Sequence, residues 1–196
     1  MKRYKFLAIV FSSAILSLAL ASLHASALDT YWQDGTGLWS DPNNWTVRVP
    51  ISGDNAYIDN GGTAQITSDS TASYLRIGSD NTGYIVQGGG KFTTSGVYVA
   101  THLATSVGGY TLNNGQLEVH GYECIGMNGT GLFEQYGGTN SVHQPIGFCL
   151  YGAGSRYVLY GGDLSTYGEI VGRNATFIQS GGTNTMPAGV YGSELV

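Results

Sequence analysis

Phe133–Asn140 reads FEQYGGTN, and forty-four positions later Phe177–Asn184 reads FIQSGGTN. An aromatic residue, three others and then Gly-Gly, written twice, points to a repeated structural unit. Aligned on the aromatic, three more stretches fit the frame: YIVQGGGKFT from Tyr84, YTLNNGQLEV from Tyr110 and YVLYGGDLST from Tyr157. The copies begin 26, 23, 24 and 20 residues apart. In each, Gly-Gly or Asn-Gly falls four and five residues after the aromatic, where a corner needs a positive φ that Gly adopts freely and Asn tolerates. A second mark precedes each aromatic: Ile77-Gly78, Val99-Ala100, Ile125-Gly126, Leu150-Tyr151-Gly152 and Val171-Gly172, with Val190-Tyr191-Gly192 opening a last copy.

A period of 20 to 26 residues matches one coil of a β-solenoid. The L-x-x-L-x-L core of a leucine-rich repeat is absent, the units are too short and Gly-rich for helical repeats, and a propeller blade needs about 40 residues. The sequence therefore predicts an all-β chain, a right-handed parallel β-helix of about five coils. Equivalent positions on neighbouring coils stack about 4.8 Å apart, so Tyr84, Tyr110, Phe133, Tyr157 and Phe177 are expected to form an aromatic ladder. Because Tyr and Phe interchange along it, the hydroxyl reads as dispensable and the ladder as packing.

Ahead of the repeats, Trp32, Trp39 and Trp45 fall within fourteen residues, beside the turn signal Asp41-Pro42-Asn43-Asn44. An open solenoid end exposes unpaired strand edges and needs a cap. A Trp-rich N-terminal cap over 28–70, followed by repeats over 71–196, is the expected division, with the repeats cut off inside a copy at Val196. The same indoles are also candidate platforms for stacking sugar rings. The order Trp39, Asn44-Trp45, Pro50, Gly53-Asp54, Ala56 and Ile58, followed by Gly-rich coils, resembles the start of secreted bacterial surface proteins. These are the autotransporter-passenger-like and sorting-signal-bearing β-solenoids. The resemblance implies a parallel β-helix displayed outside the cell without assigned enzymatic activity; a C-terminal barrel or anchor of that family has no counterpart in this sequence.

The first residues read as an export signal. Lys2, Arg3 and Lys5 precede an apolar run from Phe6 to about Leu23, ending in Ala25-Ser26-Ala27, the order of a cleaved signal peptide over 1–27. Cleavage removes three of eight basic residues and none of thirteen acids, leaving a mature net charge of −8. So acidic a chain lacks the basic footprint of a nucleic-acid binder and the patch that holds an anionic membrane. No integral membrane segment is expected after cleavage, and localisation reads as secreted or cell surface.

Few residues offer chemistry. Cys124 and Cys149 each stand just before the apolar-Gly mark of consecutive coils, placing their Cα atoms about one rung apart, within disulfide reach; an exported chain permits the bond. Glu118, His120 and Glu123, with His143 one coil on, form a carboxylate and histidine group that follows no catalytic spacing. No catalytic, cofactor-binding or metal-ligating residue is assigned, and no cofactor is expected. The leading expectation is a secreted, non-enzymatic structural or adhesive β-solenoid that meets an extracellular glycan or a matrix or surface protein. The alternative is a carbohydrate-binding module or part of a polysaccharide-active β-helix enzyme. Among the copies Glu134 stands out, where the others carry Ile85, Thr111, Val158 and Ile178.

Overall fold

The computed structural model describes residues 27–145 and 147–186. The export signal read over 1–27, apart from Ala27, and the copy opening at Val190 lie outside the described residues. One sheet stacks seven strands: β2 (Thr36–Leu38), β4 (Thr63–Ile66), β6 (Thr82–Gln87), β8 (Val107–Leu112), β10 (Thr130–Gln135), β13 (Arg156–Leu159) and β16 (Thr176–Gln179). The second runs β1 (Asp29–Tyr31), β3 (Asn55–Ile58), β5 (Ser70–Ile77), β7 (Lys91–Val99) and β9 (Gln116–Ile125). It then divides, one branch passing through β11 (Thr139–Val142), β14 (Asp163–Thr166) and β17 (Thr183–Thr185), the other through β12 (Phe148–Leu150) and β15 (Glu169–Val171). Neighbours in both sheets are parallel, each strand pairing with its counterpart one coil away. The chain is a parallel β-solenoid.

The seven-stranded sheet sets about seven turns, against the five visible as sequence copies. Segment 28–70 accounts for the difference. Its strands β1 to β4 pair into the same two sheets, so it forms rungs of its own; its one aromatic and Gly-Gly stretch, Tyr57–Gly62, starts on β3 and supplies no residue of the inner column. The capping role falls to the loop between β2 and β3. There Asp41 caps a short 3-10 turn at Pro42–Asn44 by accepting from the Asn43 amide at 2.9 Å, and Trp45 Nε1 donates to the Trp39 carbonyl at 2.8 Å. Trp39 meets Trp45 edge-on at 4.6 Å and Phe92 edge-on at 5.0 Å, plugging the end of the core. Asp54, fully buried, pins the loop by accepting from Arg48 Nε and Nη2, both at 2.8 Å. That pairing holds the Asp54 carboxyl below its usual range.

Both glycine marks close coils. At the first, Gly138 has φ 68°, and a Cβ there would lie 2.4 Å from the Gly115 carbonyl oxygen one coil below. At the second, Ala100 adopts φ 52° where sister copies place Gly78 and Gly126 at φ 58° and 69°. A left-handed alanine costs roughly 1–2 kcal/mol; surrounding coils enforce it.

The inner column corrects the sequence alignment. Tyr110, Phe133, Tyr157 and Phe177 stack in register, with centroids 4.8, 4.6 and 5.4 Å apart and rings within 13° of parallel. Tyr84 is not among them: Ile85 pairs with Tyr110, and Tyr84 pairs with Gly109 and points outward. YIVQGGG contains three glycines, and the one that turns is Gly90, at φ 67°. Counting back from it gives Ile85.

Two residues after the column, the inward position reads Gln87, Leu112, Gln135, Leu159, Gln179 along paired strands. Past the turn, Leu117, Asn140, Leu164 and Asn184 alternate likewise. Coils with tyrosine in the column therefore carry leucines, and the two phenylalanine coils carry Gln and Asn. The tyrosine hydroxyls explain the order. Tyr110 donates to Gln87 Oε1 and Tyr157 to Gln135 Oε1, both at 2.5 Å, in the preceding coil. Each of these glutamines also donates from Nε2 to the carbonyl of its own turn glycine and to the strand of the next coil: Gly90 and Gln116 for Gln87, Gly138 and Asp163 for Gln135. A buried amide with every group paired is tolerated, whereas one left unpaired costs about 1–3 kcal/mol. The hydroxyl that the sequence reading treated as dispensable is thus required in alternate coils.

Candidate functional site

In a solenoid, outward side chains at one strand position form a column on the surface, spaced by the rung. Register places Tyr31, Tyr57, Arg76 and Tyr98 in one such column across β1, β3, β5 and β7. Tyr31 and Tyr57 stack at 4.7 Å and 19°. The Arg76 guanidinium carbon lies 5.8 Å from the Tyr57 centroid, 5.1 Å from Tyr98 and 5.9 Å from Tyr74 in the adjoining column. Gly96 makes room there, since a Cβ would fall 2.9 Å from the Tyr98 ring and 3.1 Å from Tyr74. Among the described residues Arg76 forms no ion pair, and its Nε is buried without a hydrogen-bond partner. Asp80 and His102, paired through Oδ1 and Nδ1, border the column. Together with it they line an open groove of about 530 Å³. Burial raises the hydroxyl pKa of Tyr31 and Tyr98, keeping both protonated as donors.

The indoles proposed as sugar platforms are elsewhere. Trp32, Trp39 and Trp45 are 3%, 1% and 3% exposed, so no ring face is open to stacking; their surroundings made them the plug. Cys149 lies directly opposite Cys124 in register, on the strand position that continues the tyrosine and arginine column. Both are buried thiols, and the hydrogen bond they share raises the Cys124 pKa. Glu134 faces outward and accepts from the Tyr136 hydroxyl at 3.4 Å, while Tyr136 stacks on Tyr160 at 4.6 Å. Its departure from the other copies serves that outer pair.

The carboxylate and histidine group is split by the sheet. Glu118 and His120 alternate outward on β9, but Glu123 turns inward and is fully buried. Asn140 Nδ2 donates to both Glu123 oxygens, at 3.1 and 3.0 Å, and also lies 3.2 Å from the Tyr157 hydroxyl. Burial pushes the Glu123 carboxyl up to about 8, so it is mostly protonated at neutral pH. Glu118 instead pairs with Lys91, whose ammonium holds its carboxyl below the usual value.

Arg76 and the tyrosines escaped the sequence reading, although a signal existed. Each of Tyr57, Arg76, Tyr98, Cys124 and Cys149 stands just before a paired apolar residue, Ile58, Ile77, Val99, Ile125 and Leu150. The position was noticed only where it held cysteine. Comparison of the chain with protein-family models, curated proteins and solved structures gives no match in any of the three. No helix among the described residues is long and apolar enough to cross a membrane.

Proposed function

We propose that this chain is an exported, non-enzymatic adhesive β-solenoid that engages an extracellular glycan through the tyrosine and arginine face. The observation that carries the reading is Arg76, a cation over three tyrosine rings with no acidic partner among the described residues, in a chain of formal charge −5. Of the five lysines and arginines among the described residues, Arg48 and Lys91 pair with carboxylates while Arg76, Arg156 and Arg173 do not, and of these three it is Arg76 that is held over aromatic rings. A cation kept out of ion pairs in an open groove suits an incoming acceptor, such as a sugar carboxylate bound by the guanidinium fork. The flanking tyrosines add rigid apolar edges and hydroxyls, the chemistry that lets Tyr recognise polar ligands at low entropic cost. Export rests on the basic, apolar and A-x-A order of residues 1–27. The opposed pair Cys124 and Cys149 supports closure of a disulfide in an oxidising compartment.

The test is an array of neutral and uronate-bearing polysaccharides, with reducing-sugar release measured alongside. Retention of an acidic glycan without turnover is expected, weakened at least about tenfold (~1.4 kcal/mol) by Arg76→Ala. Turnover of any glycan would overturn the non-enzymatic part. No retention on any glycan, or retention unchanged in Arg76→Ala, would overturn the binding part.

A further inference from the structure

A second surface lies one face away, at the corner where β9 bends. Opposite paired positions, two residues separate Thr94 from Val97, three separate Val119 from Glu123 and five separate Val142 from Phe148; two again separate Thr166 from Glu169. The corner swells over two consecutive coils and then recovers. Local insertions in a ladder re-aim side chains and concentrate at functional sites. The swelling carries His120 and His143.

Their rings stack across the rung at 5.2 Å and 23°. Glu118 precedes His120 by two positions, on the same outward face, and its Oε1 lies 3.5 Å from His143 Nε2. One ligand atom from each of the three residues falls within 4.8 Å of the others. The other Glu118 oxygen, Oε2, is held by Lys91 Nζ, which fixes the carboxylate with Oε1 turned to the imidazoles. We propose that Glu118, His120 and His143 form a surface site for a borderline divalent metal ion, of which Zn²⁺ is the representative.

The donor set decides the class of ion. Two imidazoles and one carboxylate suit Zn²⁺ and its neighbours; Ca²⁺ and Mg²⁺ call for oxygen ligands throughout. Zn–N and Zn–O bonds near 2.0–2.1 Å require donor atoms roughly 3.3 Å apart around a tetrahedron. The present spread narrows to that by rotating two exposed imidazoles, while the carboxylate stays where Lys91 orients it, as outer partners orient metal ligands generally. Three protein ligands leave a fourth position for water or for a donor from a bound molecule.

The test uses the full mature chain freed of metal by chelator, titrated with Zn²⁺ by calorimetry at pH 7.5 and with Co²⁺ for its visible absorption. One equivalent of Zn²⁺ is expected to bind, with a Co²⁺ spectrum of four- or five-coordination. Affinity falls at least about tenfold in His120→Ala and in His143→Ala and is unchanged in His102→Ala. Because both histidines are exposed, far-UV circular dichroism of these variants should match the parent. The absence of saturable Zn²⁺ binding below about 1 mM (~4 kcal/mol) would overturn the site. So would full binding in the His120→Ala/His143→Ala double variant, and retention by that variant with loss on Cys124→Ser would move the metal to the thiols.

Discussion

Two columns of stacked side chains run along this solenoid on the same rung spacing, one inside and one outside. The inner one, Tyr110 to Phe177, repeats at 4.6 to 5.4 Å with its first three rings fully buried. The outer one, Tyr31 and Tyr57 at 4.7 Å with Arg76 and Tyr98 beyond, faces solvent, and Tyr31 is 45% exposed. Stacking alone therefore says nothing about role, because the fold imposes it on any column of flat groups. Surroundings separate the two. Inside, each hydroxyl has a dedicated glutamine acceptor; outside, a guanidinium lacks an ionic partner among the described residues and a groove lies open.

The sharpest way to break the symmetry is truncation. Phe133→Ala, in the middle of the inner column, should cost about 3–5 kcal/mol in urea unfolding, whereas Tyr31→Ala should lower stability by well under about 1 kcal/mol and act on glycan retention instead. Equal losses would erase the distinction.

Ionisation sharpens it next. The Glu123 carboxyl titrates at about 8 in the fold against 4.5 when exposed, so the folded state holds a proton that the unfolded chain has released. Stability from this group is full below about 4.5 and declines as pH rises through about 8. Glu169 and Cys149 add to burial in raising it. Thermal unfolding followed from pH 5 to 9 should show the decline, flattened in Glu123→Gln; a parent profile without it would rule out the buried proton.

Deleting one hydroxyl is subtler. Tyr157→Phe leaves Gln135 Oε1 buried without its donor and should cost about 1–3 kcal/mol, while Tyr136→Phe, on the outer pair with Tyr160, should change stability by less than about 0.5 kcal/mol. Chemical denaturation of both variants makes the comparison. A smaller effect than that of Tyr157 belongs to the backbone. Ala100→Gly should stabilise by roughly 0.5–1 kcal/mol, relief of the left-handed alanine exceeding the added entropy of glycine; a lower midpoint in thermal melts would contradict it.

FEQYGGTN was enough to reveal the solenoid, because a turn glycine and a column residue recur at fixed offset in the five coils from Ile85 to Phe177. What it hid follows from the same regularity. Aligning on any Gly-Gly pair let the third glycine of Gly88–Gly90 shift Tyr84 into a column that belongs to Ile85. Interchange of Tyr and Phe looked like indifference until Gln135 and Leu112 were seen two residues on. The outer column was missed for a different reason: Tyr57, Arg76, Tyr98 and Cys124 share a position but mix three chemistries. At the swollen corner, extra residues changed which side chains alternate inward, so Glu123 could not be told from Glu118 by spacing.

The forty-four-residue spacing of FEQYGGTN and FIQSGGTN now has a meaning beyond recurrence. Tyrosine and leucine coils interlock with phenylalanine and glutamine coils as two halves of one joint, so neighbours are not interchangeable. Duplicating or deleting a single coil would set glutamine against glutamine with no hydroxyl between them, or leucine against a stranded phenol. Lengthening by pairs of coils keeps every joint made. For recombination, and for anyone who would extend this rod by design, the indivisible brick is the pair.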